Sequence, residues 1–472
     1  MNRRQATGEQ APGHDDYALE RVPQHARYSW LSVATQRFGQ LSSFSQFLIG
    51  ATLGFGMTFK DALIAITVGA VLLEFATILV GIAGAREGLS TSVLARWTGF
   101  GRKGSALVGL LIAVSLMGWF GVQNAVFAQG LHSLVGGPPE WIWAMLGGIA
   151  VSLLVVYGFE SMAWAAYVTV PAFLGLAMWS IVKELSRHDV SDLVTSEAPG
   201  PALSLAAGTT LVAGGFIVGA VMTPDMTRYN RSSADVVKQT LVGVTLGEYV
   251  IGLIGVLLAH AAKSVDIVAT VTSTSGFIGT IILVAAILKV NDWNLYSSSL
   301  GIVNTIDVLF GRKVSRSAAT IAIGVAGSVL SAVGILDHFV DFLILLGVIT
   351  PPVAGIMIAE YFVIRKWRTD LEVSRSEGKL PARAPEWVPG TLVCWLVAAL
   401  VGKYWDWGIP ALNSIVLAFV LYVVAGKLGL IRGYGSARTE DDGSGHTKAP
   451  APDASSAAVG AHHDQTVAGA QA

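Results

Sequence analysis

Two short stretches hold the side chains best able to do chemistry. In "LIAVSLMGWFGVQNAVFAQGL" (111–131), Trp119 and Gln123 stand four residues apart, which puts them on one face of a helix. A flat indole beside an amide with two donors and two acceptor sites suits a planar heterocycle. The ring stacks on the solute and the amide bonds its edge. In "AAILKVNDWNLYSS" (285–298), Asn291 and Asn294 are three apart, as are Lys289 and Asp292. The amides can bond the edge of a solute or a neighbouring helix, and the charges can pair. Phe216, behind Gly214 and Gly215, offers a second ring to sandwich a flat solute. Glu248 is the acid deepest in an apolar run and a candidate proton carrier. Asn291 and Asn294 are costly in lipid and are expected to face the bundle interior or a wet cavity.

These residues sit in segments that are otherwise apolar. Of 472 residues, 53% are hydrophobic and 13% charged, against about a quarter charged in soluble domains. Mean hydropathy is +0.60. Apolar runs of about 20 residues recur, each long enough to cross a bilayer as a helix. They are continuous rather than alternating, which predicts an all-α polytopic membrane protein, not a barrel. About twelve transmembrane helices are expected, near 35–58, 62–85, 104–131, 141–158, 162–183, 203–222, 239–261, 275–300, 317–335, 338–362, 387–404 and 409–427. Residues 1–34 read as a cytoplasmic N-terminal tail, 35–430 as the transporter domain and 431–472 as a disordered cytoplasmic tail. The first 28 residues lack the pattern of a cleaved signal peptide, so the first span is expected to remain as an anchor.

Basic residues mark the sidedness. "GRK" (101–103), "RYNR" (228–231), "GRKVSR" (311–316) and "RKWR" (365–368) fall on one side, while Lys60, Lys183, Arg187, Lys263 and Lys403 fall on the other. Positive charge stays inside, so both termini are expected in the cytoplasm of a plasma-membrane protein. Lys289 alone is assigned to a span interior. Spans one and six look interrupted, the first around Gly39 in "RFGQLSSFSQFLIG" and the sixth at Gly214, Gly215 and Gly219. Broken helices at matching positions point to a transporter's midplane site; glycines that only permit close packing are the alternative. No Walker loop, paired histidine ligands or nucleophile–base constellation occurs. An ATP-driven pump or a membrane enzyme is poorly supported, and no cofactor, metal or nucleic-acid partner is expected. The one cysteine, Cys394, reads as a small buried apolar group.

Several stretches together resemble the purine–cytosine permease branch of the nucleobase–cation symporter-1 family. They are "ERVPQHAR" (20–27), "GATLGFG" (50–56), "GWFGVQ" (118–123), "TPDMTRYNR" (223–231), "NDWNLYSSSLGIVN" (291–304) and "TPPVAGIMIAEY" (350–361). Their order and spacing cover roughly residues 20–430. The resemblance implies two inverted five-helix repeats of the LeuT type plus two extra helices, with alternating access. It places Trp119 and Phe216 as the stacking rings and Asn291 and Asn294 as edge contacts. Gln123 matches the hydantoin transporters of the family, whereas cytosine permeases carry an amide where this chain has Leu116. Gly39, Ser42 and Ser43 are expected at the site. Gly39 and Ser42 match carbonyl positions that bind sodium in sodium-driven members. Those members also use hydroxyls just before the span-eight asparagine, where this chain has Leu288, Lys289 and Val290. A lysine ammonium there stands in for the ion, pairs with Asp292, or does both.

The expectation is a secondary active importer of a nucleobase, coupled to protons and independent of sodium. An allantoin, hydantoin or vitamin-heterocycle permease is the close alternative. A channel or a transport-dead sensor is the alternative from another class.

Overall fold

Backbone N–H and C=O groups in a long apolar run have no water to bond, so the chain must satisfy them within each segment, as helix. The computed structural model describes residues 20–41, 44–157 and 186–438 except position 406, with scattered positions at 172–183. It opens with α1 (Trp30–Leu41) and α2 (Phe44–Gly56). Thr58 caps α3 (Phe59–Glu87) by accepting from Asp61 N–H, and Gly88 ends it in the left-handed region. A short helix α4 (Thr91–Ala95) passes through a π turn into α5 (Gly101–Val135), followed by α6 (Glu140–Tyr157). Next come α7 (Val190–Thr195), α8 (Leu205–Val221), α9 (Thr223–Thr227) and α10 (Ser233–Ala262). The longest helix, α11 (Ile267–Phe310), is kinked at Gly276, whose φ of 64° and ψ of −157° suit glycine alone. The chain ends with α12 (Arg316–Ala332), α13 (Phe339–Ile349), α14 (Pro351–Ile358), α15 (Arg368–Ser376), α16 (Pro389–Tyr404) and α17 (Pro410–Lys427).

Among the described residues, five helical stretches are long and apolar enough to cross a membrane. They are Phe59–Glu87, Thr91–Val135, Ser233–Ala262, Ile335–Ile364 and Pro410–Lys427, and five shorter apolar helices accompany them. Every expected span overlaps a helix except 162–183, most of which lies outside the described residues. Large apolar side chains such as Phe75, Val393 and Leu396 point outward, while Gln46, Gln123, Asn124, Glu248 and Asn291 are buried. That inverted polarity is what lipid on the outside demands.

A polar ladder joins α5 to α11. Asn291 Nδ2 donates to Phe120 O (3.2 Å), Ser298 Oγ to Ala113 O (2.7 Å) and Thr305 Oγ1 to Ala106 O (3.1 Å). The donors step forward by seven residues as the acceptors step back by seven, so the helices run antiparallel with one seam facing the partner. In lipid each such bond contributes about 0.6 kcal/mol on average, so the ladder fixes register more than it stabilises. Elsewhere small residues allow backbone contact: a Cβ on Gly50 would lie 2.1 Å from Gly252 O, where α2 meets α10.

The structure corrects two expectations. First, α8 is continuous through Gly214, Gly215 and Gly219, and the chain leaves helical geometry only at Met222 (φ −76°, ψ 2°). The glycines serve packing instead: a Cβ on Gly214 would lie 1.9 Å from Leu343 O of α13. Second, the ordered body extends beyond 35–430. Val22 and Ile431 are buried, and Tyr28 bridges to Asn230. The two-residue strand β1 (Arg383–Ala384) pairs antiparallel with β2 (Ala437–Arg438). Residues 1–19 and 439–472 lie outside the described residues. Arg37, inside the first expected span, is buried, with 1% of its surface exposed.

Candidate solute site

The middle of α5 meets the first turn of α2, the middle of α11 and the start of α13. Trp119 is buried in one apolar cluster with Phe44, Ile217, Ile287 and Phe339. Its indole lies near-perpendicular to Phe339 (centroids 6.0 Å, 73°) and Phe342 (5.6 Å, 79°), so neither phenyl ring stacks on it. One turn on, Gln123 Nε2 donates to Ser45 Oγ (2.7 Å), which ties α5 to α2. Its Oε1 is buried and has no hydrogen-bond partner among the described residues. A buried acceptor left unpaired costs about 1–3 kcal/mol, so this atom is set for a donor that arrives from elsewhere.

Phe216 packs against the same cluster, partly buried. The room for its ring comes from Gly219, where a Cβ would meet Phe216 Cζ at 2.6 Å. The glycine pair expected to make that room does other work: Gly214 abuts the α13 backbone and Gly215 abuts Ile49. Arg37 reaches across from α1 with its guanidinium carbon 5.7 Å from the Phe216 centroid. Its Nη1 donates to Gly219 O (3.2 Å) and its Nη2 to Thr223 Oγ1.

On α11, Asn291 is fully buried. Its Nδ2 serves the ladder and its Oδ1 accepts a long 3.4 Å contact from Asn294 Nδ2. Asn291 therefore has an interhelical role, and Asn294, with a weak partner, is the freer of the two. Asp292 is buried as well. Glu248 on α10 is fully buried and accepts from Gln46 Nε2 of α2 (2.7 Å), with Oε1 unpartnered. Gly39 lies within α1. Ser42, Ser43 and the side chain of Lys289 lie outside the described residues. No cluster of His, Cys, Asp and Glu suited to a metal forms among the described residues.

The family described as permeases for cytosine/purines, uracil, thiamine and allantoin matches the chain over residues 21–402. The chain belongs to this permease family. It is a multi-pass membrane transporter, not an enzyme. Cytosine permease of Escherichia coli strain K12 is 28% identical over 404 residues, spanning 85% of this chain and 92% of that protein. Hydantoin permease of Microbacterium maritypicum is 23% identical over 392 residues, spanning 77% and 79%. Among solved structures, the inward-facing conformation of Mhp1 superposes with a TM-score of 0.74 at 18% identity, covering 90% of this chain and 95% of that one. A Na+-coupled sialic acid symporter gives 0.60 at 11% identity, covering 88% and 92%. The permease shares the fold of these transporters.

Sequence reasoning missed Arg37, Ser45 and Gln46 of the permease. Gln46 had a signal, being an amide in the apolar run of α2. Arg37 had one too, since it falls inside the first expected span. Ser45 had none, because a serine in a membrane helix commonly bonds its own backbone.

Proposed function

We propose that this permease imports a nucleobase or a closely related heterocycle by alternating access between two inverted five-helix repeats. Trp119 and Phe216 hold the two faces of the solute ring. Gln123 and Asn294 bond its edge, with Asn291 positioning Asn294. The observation that carries this reading is Gln123: its amide nitrogen is anchored on Ser45, and its oxygen, one turn from a buried indole, is buried and unpaired among the described residues. Such a pair fits a flat solute with an N–H on its edge.

The permease is read as working in the plasma membrane with both termini in the cytoplasm. Its coupling ion is read as the proton. Sodium is a hard cation that needs oxygen ligands, and Leu288, Lys289 and Val290 offer no side-chain oxygen. Lys289 and Glu248 are the rival groups for the proton. Glu248 has in its favour a buried carboxyl with one oxygen on Gln46, on the helix after the α1–α2 junction. An allantoin or hydantoin solute is favoured over cytosine by the amide at 123 and by Leu116, which is buried and apolar.

The deciding experiment is competition uptake with labelled cytosine, adenine, hypoxanthine, uracil and allantoin in cells expressing the chain. One solute is expected to dominate, with counterflow exchange. Flux without exchange indicates a channel, and binding without flux a sensor; either outcome defeats the proposal.

A further inference from the structure

A cavity of about 470 Å³ opens where four separate segments meet. Its lining includes Arg27 before α1, Arg86 at the end of α3, Arg231 before α10, and Arg368 and Arg375 of α15. Among the described residues no carboxylate lines it, and none of the solute-site residues does.

The five guanidiniums are unequally neutralised. Arg368 bonds Glu372 (2.8 Å) and Arg375 bonds Glu87 (2.9 Å). Among the described residues no carboxylate pairs with Arg27, Arg86 or Arg231. Arg27 is buried and spends its donors on backbone carbonyls alone, those of Val22, Ala85 and Asn230. Among the described residues Arg86 hydrogen-bonds the Ser233 hydroxyl (3.3 Å), and Arg231 makes a long bond to Arg27 O (3.4 Å). Burial and the neighbouring Arg21 push the Arg27 guanidinium below its ordinary pKa, and Glu87 only partly opposes them. Like charges gathered in a recess repel, and an anion in the recess relieves that cost.

We propose that this cavity is a phosphate-binding site, taking the phosphoryl group of a soluble phosphate ester or of an anionic phospholipid headgroup. Several features fit that chemistry. Arginine forks match phosphate oxygens in pairs, and several arginines converge from different segments. The volume exceeds a bare phosphate, which leaves room for the group that carries it. Arg231 and Arg368 belong to the two basic loops "RYNR" and "RKWR", and the positive-inside rule places that face in the cytoplasm. Occupancy would tie the N-terminal segment, α3, α10 and α15 together.

The test uses the purified full-length chain and inorganic phosphate as probe. Its unfolding temperature is followed with phosphate against chloride at matched ionic strength, since ligand binding to the folded state raises it. Phosphate is expected to stabilise, and Arg86→Gln with Arg231→Gln to weaken that binding by at least about tenfold. Both arginines are exposed, so the pair is expected to fold. Arg312→Gln with Lys313→Gln removes the same charge from another loop and should leave phosphate binding unchanged. A second arm compares phosphatidylcholine vesicles with and without phosphatidic acid. Stabilisation by free phosphate alone assigns a soluble ester; stabilisation by phosphatidic acid that the Arg86/Arg231 pair abolishes assigns a lipid. If neither probe stabilises, or the Arg312/Lys313 pair weakens binding equally, the site does not exist. Loss of uptake in the solute-site variants bears on the proposed function and leaves this result untouched.

Discussion

At Gln123 one polar atom stands ready for a partner, and the consequence is measurable. Gln123→Leu removes the acceptor, while Gln123→Glu keeps an acceptor that Ser45 can still serve. Solutes with an edge N–H should lose about 1–3 kcal/mol of binding in the leucine variant and less in the glutamate variant, so the ranking of competing bases should change. Equal weakening of every solute would assign Gln123 to scaffolding. Trp119 carries a different risk. Its indole is part of the apolar cluster, so Trp119→Ala costs stability through the cavity it leaves as well as stacking. Trp119→Phe keeps a ring and most of the packing. Uptake is expected to fall strongly in Trp119→Ala and partly in Trp119→Phe, with Km raised in both. An unchanged Km in both takes the indole out of the site.

At the scale of elements, two glycines of α8 separate packing from function. A Cβ on Gly214 strikes the backbone oxygen of Leu343, and neither helix can move aside cheaply. Overpacking of this kind costs typically about 1–3 kcal/mol or more, so Gly214→Ala should lower the unfolding temperature or the yield of folded protein. A Cβ on Gly219 strikes the far end of the Phe216 ring, a side chain rather than backbone. Gly219→Ala should fold, yet bind solute more weakly because the ring is displaced. Thermal melts paired with binding assays on both variants check this; a Gly219→Ala protein of normal affinity would remove Phe216 from the sandwich.

For the whole molecule, the driving ion is the open property. Replacing sodium by potassium or choline at fixed pH and membrane potential is expected to leave uptake unchanged, whereas a proton ionophore should stop accumulation. Lys289→Ala should lose accumulation while retaining solute exchange if Lys289 carries the proton or stands in for the ion. If it only balances Asp292, then Lys289→Ala with Asp292→Asn should recover accumulation. Glu248→Gln tests the rival carrier by the same readout. A sodium requirement in the unmodified protein would overturn the argument from residues 288–290.

The amino-acid order by itself determined the class of molecule, because lipid admits only helices and closed barrels and the apolar runs in this chain are long, repeated and continuous rather than alternating. It determined the positions of most helices for the same reason, and it singled out Trp119, Gln123, Asn291 and Glu248 as polar or aromatic groups in costly places. Tertiary structure decided what each touches. The Asn291 nitrogen bonds Phe120 O because α5 and α11 run antiparallel in a fixed register, which no local pattern shows. Gly214 and Gly219 have different neighbours because α8 faces α13 on one side and its own Phe216 on the other. Arg37, Gln46 and Ser45 joined the site only when α1 and α2 packed against α8, α10 and α5. The arginine cavity gathers residues from 27 to 375, and no window of sequence spans that distance.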